Sequence, residues 1–350
     1  MSNEKHFTDE IADEIERDNT LSDNAKAQVM RNLTKLKKTK VNILITGATG
    51  SGKSSTINAL FNSEKAKVGQ GVNPETMDIK KFELDNTVLY DTPGLGDGKE
   101  ADIRHSKNII DKLYEKDSND NMLIDLVLVI LDGSSRDLGT SFELINQVII
   151  PNLGEDKTRL LIAINQADMA MKGRFWNYAK NCPEPELVKF LEEKVISTQR
   201  RIKEATGVDV EPIYYCAGYK DGDEEQNPYN LSKLLLYILR HTKEEKRAVF
   251  AQDINRDKKM WEDDDELEDY RQEIRSTLLE SISSAASTGA DIGNDLLGGV
   301  GSLVLGRAGE RIGEAVGKIV GGVVGGAVGV VGGVAGAIGG AFRKVFSLFG

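Results

Sequence analysis

The sequence predicts an α/β fold: a mostly parallel, six-stranded sheet with one antiparallel strand, flanked by helices. Two observations predict it. Apolar, β-branched runs alternate with helical segments, and only one connection between strands is short enough for a hairpin. The run 122–132 is almost continuously apolar, which is typical of a strand buried on both faces of a sheet.

The first 39 residues are polar and favour helix. Apolar residues recur at helical spacing, which predicts one or two amphipathic helices. The residues that carry this pattern are Phe7, Ile11, Ile15, Val29, Leu33 and Leu36.

The next segment, 40–242, contains the predicted sheet. Asp85 and Asn86 lie between two short strand patterns and indicate the single hairpin. The predicted strands are 41–46, 79–84, 87–91, 122–132, 158–165 and 211–217, and the helices between and after them are 53–62, 101–116, 139–150, 184–207 and 230–242.

Two further segments follow. Residues 243–288 are highly charged and include WEDDDELED at 261–269, which predicts an exposed helical linker. Residues 289–350 hold 20 of the 35 glycines. The sequence therefore predicts four parts: an N-terminal helical segment, a large α/β domain, a charged linker and a glycine-rich helical tail.

Composition narrows the class of protein. The formal net charge is −11, so a general binder of nucleic-acid backbones is disfavoured and no DNA partner is expected. Cys182 and Cys216 cannot form a disulfide framework, and the N-terminus lacks a secretory signal pattern. We expect a cytoplasmic location and no structural metal.

The segment GATGSGKS, residues 47–54, fits the pattern G-x-x-x-x-G-K-[ST] between a predicted strand and helix. Glycines let backbone N–H groups surround the β-phosphate, Lys53 reaches the β and γ oxygens, and the Ser54 hydroxyl binds Mg²⁺. We predict a phosphate site formed by Gly47, Ala48, Thr49, Gly50, Ser51, Gly52, Lys53, Ser54 and Ser55.

The segment DTPG, residues 91–94, ends the second hairpin strand, 38 positions after Lys53. Asp91 can hold Mg²⁺ through water, and the Gly94 N–H can contact a γ-phosphate. We therefore predict that both residues belong to the same site.

Two motifs predict a guanine base site. The segment NQAD at 165–168 follows the strand 158–165. Asp168 can accept hydrogen bonds from guanine N1 and N2, which adenine does not offer, and Asn165 can tie this loop to the phosphate loop. Gln166 lies between them, and the Cys216–Ala217 backbone after the next strand can reach guanine O6.

In this order, the phosphate loop, DTPG, N-x-x-D and the final C-A resemble the Ras-like GTPases of the TRAFAC class. GATGSGKSSTINALF, GVNPETMDI and DTPGLGDG are most similar to Era-like bacterial GTPases and also resemble immunity-related GTPases. The resemblance covers about 41–242 and implies a Ras-like P-loop GTPase domain that binds GTP or GDP with Mg²⁺ and hydrolyses GTP slowly. It also implies a threonine that contacts Mg²⁺ and the γ-phosphate, and Thr76 is the candidate; with Lys53 and Gly94 it forms the implied catalytic set.

Three positions depart from this family pattern. Gln166 stands where the family has a lysine, which predicts weaker nucleotide affinity. Cys216 replaces a serine, a mild change. Leu95 follows DTPG where Ras-type proteins have the glutamine that orients the attacking water. We expect slow intrinsic hydrolysis that rises when the protein forms a homodimer or larger oligomer.

The tail carries a small-residue repeat: glycines recur every four positions from Gly309 to Gly333. Residues 319–342 contain no charge, and as a helix they would span about 36 Å, enough for a hydrocarbon core of about 30 Å. We predict a glycine zipper in which residues 309–342 insert into membrane lipid or self-associate. A flexible tail, or a helical hairpin folded onto the GTPase domain, is the alternative.

The sequence thus predicts a GTP-dependent molecular switch coupled to a membrane. One alternative is a ribosome-associated assembly GTPase, which is disfavoured because the segment after the core is acidic rather than basic. The other is a pore-forming or effector protein gated by a GTPase domain.

Overall fold

The computed structural model divides the chain into two compact units. The larger unit comprises the described residues of Lys40–Thr242 and Asp253–Ile274, and the smaller one comprises those of Met1–Thr39, Lys243–Gln252 and Arg275–Gly350. The structure describes residues 5–17, 19, 21–61, 67–70, 79–94, 98–221 and 224–287.

A seven-stranded sheet forms the centre of the larger unit. Its spatial order is β2-β3-β4-β1-β5-β6-β9, and two two-stranded hairpins, β7–β8 and β10–β11, lie outside it. The strands are β1 (Val41–Gly47), β2 (Lys67–Gln70), β3 (Lys80–Glu83), β4 (Thr87–Asp91), β5 (Leu126–Asp132), β6 (Leu160–Asn165), β7 (Trp176–Asn177), β8 (Cys182–Pro183), β9 (Ile213–Tyr214), β10 (Tyr219–Asp221) and β11 (Glu224–Gln226).

All six predicted strands are present in the sheet, and β2 is an additional strand. β3 pairs antiparallel with both β2 and β4, whereas the remaining neighbours pair in parallel. The prediction of one antiparallel strand is therefore confirmed. The missed strand, KVGQ, is only four residues long and has little apolar character, so its pattern was too weak to predict it.

The central strands are mostly apolar because they are buried on both faces of the sheet. Every residue of β1, β4 and β6 is buried, because helices cover both faces of the sheet. β1 lies between β4 and β5, with Ile45 opposite Asp91 on one side and Leu128 on the other. The carboxyl ends of these parallel strands consequently meet at one edge, where the predicted motifs begin.

Helices follow the strands as predicted. The predicted helix 139–150 is one continuous helical stretch that changes from α to π geometry at Leu144–Ile149 and continues to Asn152. The α-helices are α1 (Phe7–Arg17), α2 (Asp23–Lys38), α3 (Lys53–Leu60), α4 (Lys99–Tyr114), α5 (Gly139–Glu143), α6 (Ile150–Asn152), α7 (Pro185–Thr206), α8 (Leu231–His241), α9 (Glu244–Arg247), α10 (Phe250–Asp253) and α11 (Tyr270–Ser287).

The acidic stretch of the charged segment differs from the expected exposed linker. Trp261 is fully buried, and its Nε1 donates to the carbonyl oxygen of Asn255. Asp265 accepts hydrogen bonds from Lys233 and Tyr270. Lys233 belongs to α8, 32 residues before Asp265, so the middle of the charge run packs on the larger unit, whereas Glu262 and residues 266–269 are exposed as predicted.

The smaller unit contains the predicted N-terminal helices. α1 and α2 bury the apolar residues that define their helical spacing, including Ile11, Ile15 and Leu33. Ser22 caps α2, since its Oγ accepts the backbone N–H of Ala25.

The glycine-rich tail, and with it the predicted zipper 309–342, lies outside the described residues. Within the described part of the chain, no helix combines the length and the apolar character needed to cross a membrane.

Candidate functional site

The phosphate loop runs from the end of β1 to the start of α3, as its sequence pattern requires. Lys53 Nζ donates to the backbone oxygens of Gly47 (3.3 Å) and Ala48 (3.1 Å), so its ammonium group lies within the curve of the loop. No side chain caps the start of α3. Backbone N–H groups at a helix N-terminus bind anions, which the helix dipole also favours.

Two glycines permit close approach of the loops around this site. Gly52 has φ +86°, and a Cβ there would overlap the Asn165 side-chain amide. Gly94 of DTPG packs so closely on Thr49 that a Cβ would overlap Thr49 N, Cα and Oγ1. The glycines of both motifs are thus required by backbone geometry and by packing against the neighbouring loop.

Ser54 and Asp91 form the candidate magnesium site. Ser54 Oγ donates to Asp91 Oδ2 at 3.4 Å, while the buried Asp91 Oδ1 has no hydrogen-bond partner. Burial raises the pKa of Asp91, and the positive charges of Lys53 and Lys80 act in the opposite direction.

An unpartnered buried carboxylate oxygen fits a hydrated cation. The described residues offer no cluster of three or more His, Cys, Asp or Glu side chains for a metal. Mg²⁺ here would therefore take its remaining ligands from phosphate oxygens and water, which is the usual arrangement for this ion.

Asn165 connects the base loops to the phosphate loop, as the sequence suggested. Its Nδ2 donates to Ser51 O at 3.0 Å, and its Oδ1 accepts from Ala217 N at 2.9 Å. Beside it, Gln166 Nε2 donates to Gly50 O at 2.7 Å. Two consecutive amide side chains thus fix the distance between the phosphate loop and the NQAD and Cys216–Ala217 loops.

Asp168 and Cys216 lie side by side at the base end of the site. Both are buried. Burial raises the pKa of the Cys216 thiol well above its ordinary value, and the Asp168 charge adds to this effect. The thiol is consequently protonated at neutral pH. The backbone N–H groups of this loop donate within the protein, from Cys216 to Tyr229 O and from Ala217 to Asn165 Oδ1.

A buried hydroxyl pair, which sequence reasoning missed, joins α3 to the base loops. Thr56 Oγ1 donates to Gly52 O at 2.8 Å and lies 2.6 Å from the Tyr215 hydroxyl. The Tyr215 carbonyl oxygen in turn accepts from Ala167 N at 3.2 Å. The pairing of two hydroxyls 159 residues apart leaves no signal in either local pattern.

DTPG is also anchored by residues that the sequence did not suggest. Thr92 N donates to Ile45 O, and its hydroxyl donates to Thr46 Oγ1 at 2.9 Å. The buried His105 of α4 lies with Nδ1 3.2 Å from Gly94 O, so it carries the Nδ1 proton in this bond. These bonds hold the backbone of DTPG on both sides of Pro93.

The structure brings together every predicted site residue that it describes. The phosphate loop contributes Gly47, Ala48, Thr49, Gly50, Ser51, Gly52, Lys53, Ser54 and Ser55, and the other loops contribute Asp91, Gly94, Asn165, Gln166, Asp168, Cys216 and Ala217. Thr76 and Leu95 lie outside the described residues. The predicted role of Thr76 therefore stays a prediction.

Residues 42–166 match the family model described as "50S ribosome-binding GTPase". This part of the chain is similar to the GTPase domains of that family. The match spans the phosphate loop, DTPG and the first two residues of NQAD, and it assigns GTP hydrolysis to the GTPase domain. No curated protein matches the chain.

Several solved structures are similar to the chain. They include the G domain of the T. maritima FeoB iron transporter, with 20% identity, 58% of this chain and 98% of that chain covered and a TM-score of 0.32. A probable GTP-binding protein engB has 22% identity over 57% and 98% of the two chains, with a TM-score of 0.36. Toc33 from Arabidopsis thaliana, in complex with GDP and Mg²⁺, has 16% identity over 70% and 99%, with a TM-score of 0.40. All three TM-scores are low, so no property of these proteins is transferred to this chain.

Proposed function

We propose that the GTPase domain works as a Mg²⁺-dependent molecular switch that binds guanine nucleotide across the phosphate loop and the NQAD loop. The observation that carries the proposal is the pair of hydrogen bonds made by Asn165, to Ser51 O and from Ala217 N. They hold a phosphate-binding surface and a base-binding surface at a fixed separation. A ligand that combines a polyphosphate with a purine base matches this arrangement.

In this proposal, different residues bind the phosphates, the base and the metal ion. The α3 N-terminus and Lys53 bind the β- and γ-phosphates, and the Gly94 N–H contacts the γ-phosphate. Asp168 selects guanine through N1 and N2. The Ala217 N–H, which donates to Asn165 Oδ1 in the structure, shares its proton with guanine O6 when the base is bound. Ser54, Asp91 and Thr76 hold Mg²⁺, which neutralises charge on the phosphate oxygens when it is bound.

Nucleotide titration and phosphate release test this assignment. The full chain should bind GTP and GDP but not ATP, and should release phosphate from GTP only with Mg²⁺. Lys53→Ala should abolish binding at micromolar nucleotide, whereas Lys116→Ala, which breaks an exposed ion pair with Asp120, should bind as the unaltered protein does. Equal affinity for ATP would contradict the assignment.

We also propose that self-association accelerates hydrolysis, because turnover without the Ras-type glutamine is slow and a second molecule can place a charge-stabilising group against the γ-phosphate. GTP turnover per molecule should rise with protein concentration. A rate that stays constant from nanomolar to micromolar protein would argue against this part of the proposal.

A membrane role for residues 309–342, on the cytoplasmic side, is supported by their uncharged, glycine-spaced sequence. The full chain should float with liposomes in a density gradient, and a chain ending at Gly289 should stay at the bottom. Identical behaviour of both would remove the membrane part of the proposal.

A second candidate function comes from the description of the matching family, which names binding to the 50S ribosomal subunit. Its test is co-sedimentation with purified 50S subunits in the presence of GTP or GDP. Binding that requires GTP and resists 0.3 M salt (a value on the order that screens non-specific electrostatic association) would favour it over the membrane-coupled switch.

A further inference from the structure

The GTPase reaction needs a polar group beside the γ-phosphate to orient the attacking water. In this chain DTPG is followed by leucine, whose side chain cannot form hydrogen bonds. A group that contacts the water must therefore come from another part of the site or from a second molecule.

Thr49 is the hydroxyl of the phosphate loop that lies against DTPG. Thr49 is exposed, and its backbone and Oγ1 lie so near Gly94 that a Cβ on Gly94 would overlap them. A nucleotide whose γ-phosphate contacts the Gly94 N–H and Lys53 would place that phosphate next to Thr49 Oγ1. Of the other loop hydroxyls, Ser51 is fully buried and Ser54 lies beside Asp91 at the candidate magnesium site.

Hydrogen bonds on either side hold the backbone around the contact between Thr49 and Gly94. Gln166 and Asn165 hold the phosphate loop through Gly50 O and Ser51 O. On the other side, Thr92 is bonded to β1 and Gly94 O to His105. Because both backbones are held by hydrogen bonds, the Thr49 backbone has a defined place relative to Gly94, and its hydroxyl is confined to the few χ1 rotamers of a β-branched side chain.

We infer that the Thr49 hydroxyl orients the water that attacks the γ-phosphate, an inference that rests on the proposed binding of GTP at this site. The hydroxyl accepts a hydrogen bond from the water and donates one to a γ-phosphate oxygen.

In the reaction, the water oxygen forms a bond to the γ-phosphorus, and the bond from that phosphorus to the β–γ bridging oxygen breaks. GDP leaves with the electron pair of that bond. The proton released by the water passes to a phosphate oxygen, and Thr49 ends the reaction with the proton it had at the start.

Two substitutions distinguish the effect of the hydroxyl from the effect of side-chain shape. Thr49→Val keeps the branched shape and removes the hydroxyl, whereas Thr49→Ser keeps the hydroxyl. Single-turnover hydrolysis with Mg²⁺ should slow about tenfold or more in Thr49→Val, the effect of losing one well-placed hydrogen bond, and change less than about threefold in Thr49→Ser. Thr34→Val, at an exposed hydroxyl of α2 that bonds to Met30 O, is the matched control and should leave the rate unchanged.

Nucleotide affinity distinguishes this inference from the proposed function. Both Thr49 variants should bind GDP within about threefold of the unaltered protein, because GDP has neither the γ-phosphate nor the attacking water that the hydroxyl contacts, whereas Thr49→Val should bind the non-hydrolysable analogue GMPPNP several-fold more weakly than Thr49→Ser. Thr49→Val with full hydrolysis, or Val and Ser variants slowed equally, would overturn the inference while leaving GTP binding intact. An unaltered protein that binds no GTP would overturn both.

Protein concentration supplies a further test. The factor by which Thr49→Val slows hydrolysis should be the same in dilute and in concentrated protein, since the hydroxyl and the phosphate belong to one site. A deficit that disappears in concentrated protein would mean that a second molecule supplies the orienting group, and would overturn the inference.

Discussion

The Asn165 side chain donates a 3.0 Å hydrogen bond to the Ser51 carbonyl oxygen, 114 residues earlier in the chain. Asn165 is buried, as is Ser51. A buried amide that spans two loops fixes their separation more firmly than an exposed contact would, because water cannot replace it without cost.

Asn165→Ala should therefore accelerate nucleotide release. It leaves Ser51 O and Ala217 N without their partner, at a cost of about 1–3 kcal/mol for each unsatisfied group, so GDP should dissociate about 10–100 times faster. Stopped-flow release of a fluorescent GDP measures this. Asn152→Ala, which removes a comparable bond from an amide to Val148 O outside the site, is the control and should release GDP at the normal rate.

Gln166 should respond to substitution in the opposite direction. Its Nε2 donates to Gly50 O at 2.7 Å as a neutral amide. Gln166→Lys substitutes a charged donor, and charge-assisted bonds are about twice as strong, so GDP release should slow by several-fold. Gln166→Met removes the donor and should speed release. If Gln166→Lys releases GDP faster than the unaltered protein does, then residue 166 affects GDP release by some route other than the hydrogen bond to Gly50 O.

Asp168→Asn tests base selection. The carboxylate of Asp168 accepts from the N1 and N2 groups of guanine, whereas an amide offers one acceptor and one donor. Xanthine has an oxygen where guanine has the N2 amine, so the asparagine variant should prefer XTP over GTP by about 100-fold or more. Competition titration with GTP and XTP measures this change of preference. Loss of affinity for both would indicate that Asp168 supports the loop without contacting the base.

Local patterns predicted the site well because its residues follow strands. The carboxyl ends of β1, β4 and β6 lead directly into the phosphate loop, DTPG and NQAD. Once the strands are recognised as parallel, their ends must meet at one edge, and the order of the motifs then predicts their positions.

The contacts that the sequence did not predict join residues far apart in the chain. Tyr215 meets Thr56 across 159 residues, and Trp261 is buried although acidic residues follow it. A charge run predicts exposure when its partners are unknown. Here Lys233, 32 residues earlier in the chain, supplies an ionic partner for Asp265, and nothing in the local pattern indicates it.

Asp253 illustrates the same point and gives a pH-dependent prediction. Its carboxylate accepts the backbone N–H groups of Asp85 (3.1 Å), Asn86 (2.8 Å) and Thr87 (2.6 Å), at the turn between β3 and β4. Burial raises the pKa of Asp253 from 3.8 to about 6, although the bonds from Asn86 and Thr87 act in the opposite direction.

Between pH 3.8 and 6 the folded protein holds a proton on Asp253 that the unfolded chain has released. The free energy of unfolding contributed by this group therefore falls as pH rises through this window, by about 3 kcal/mol at most, and is constant above it. Asp253→Asn cannot titrate and offers one oxygen to three N–H donors. The stability advantage of the unaltered protein over this variant should thus shrink as pH rises from 4 to 6 and then remain level.

Urea denaturation at half-unit intervals of pH measures the difference between the two proteins, which cancels the titration of all other groups. Asp209→Asn is a control of opposite sign: the hydrogen bond from Lys203 lowers the pKa of this exposed carboxyl, so its contribution is lost as pH falls rather than as pH rises. A difference between Asp253→Asn and the unaltered protein that stays constant from pH 4 to pH 6 would mean that Asp253 remains ionised in the folded state. In that case the three backbone N–H groups outweigh burial at this turn.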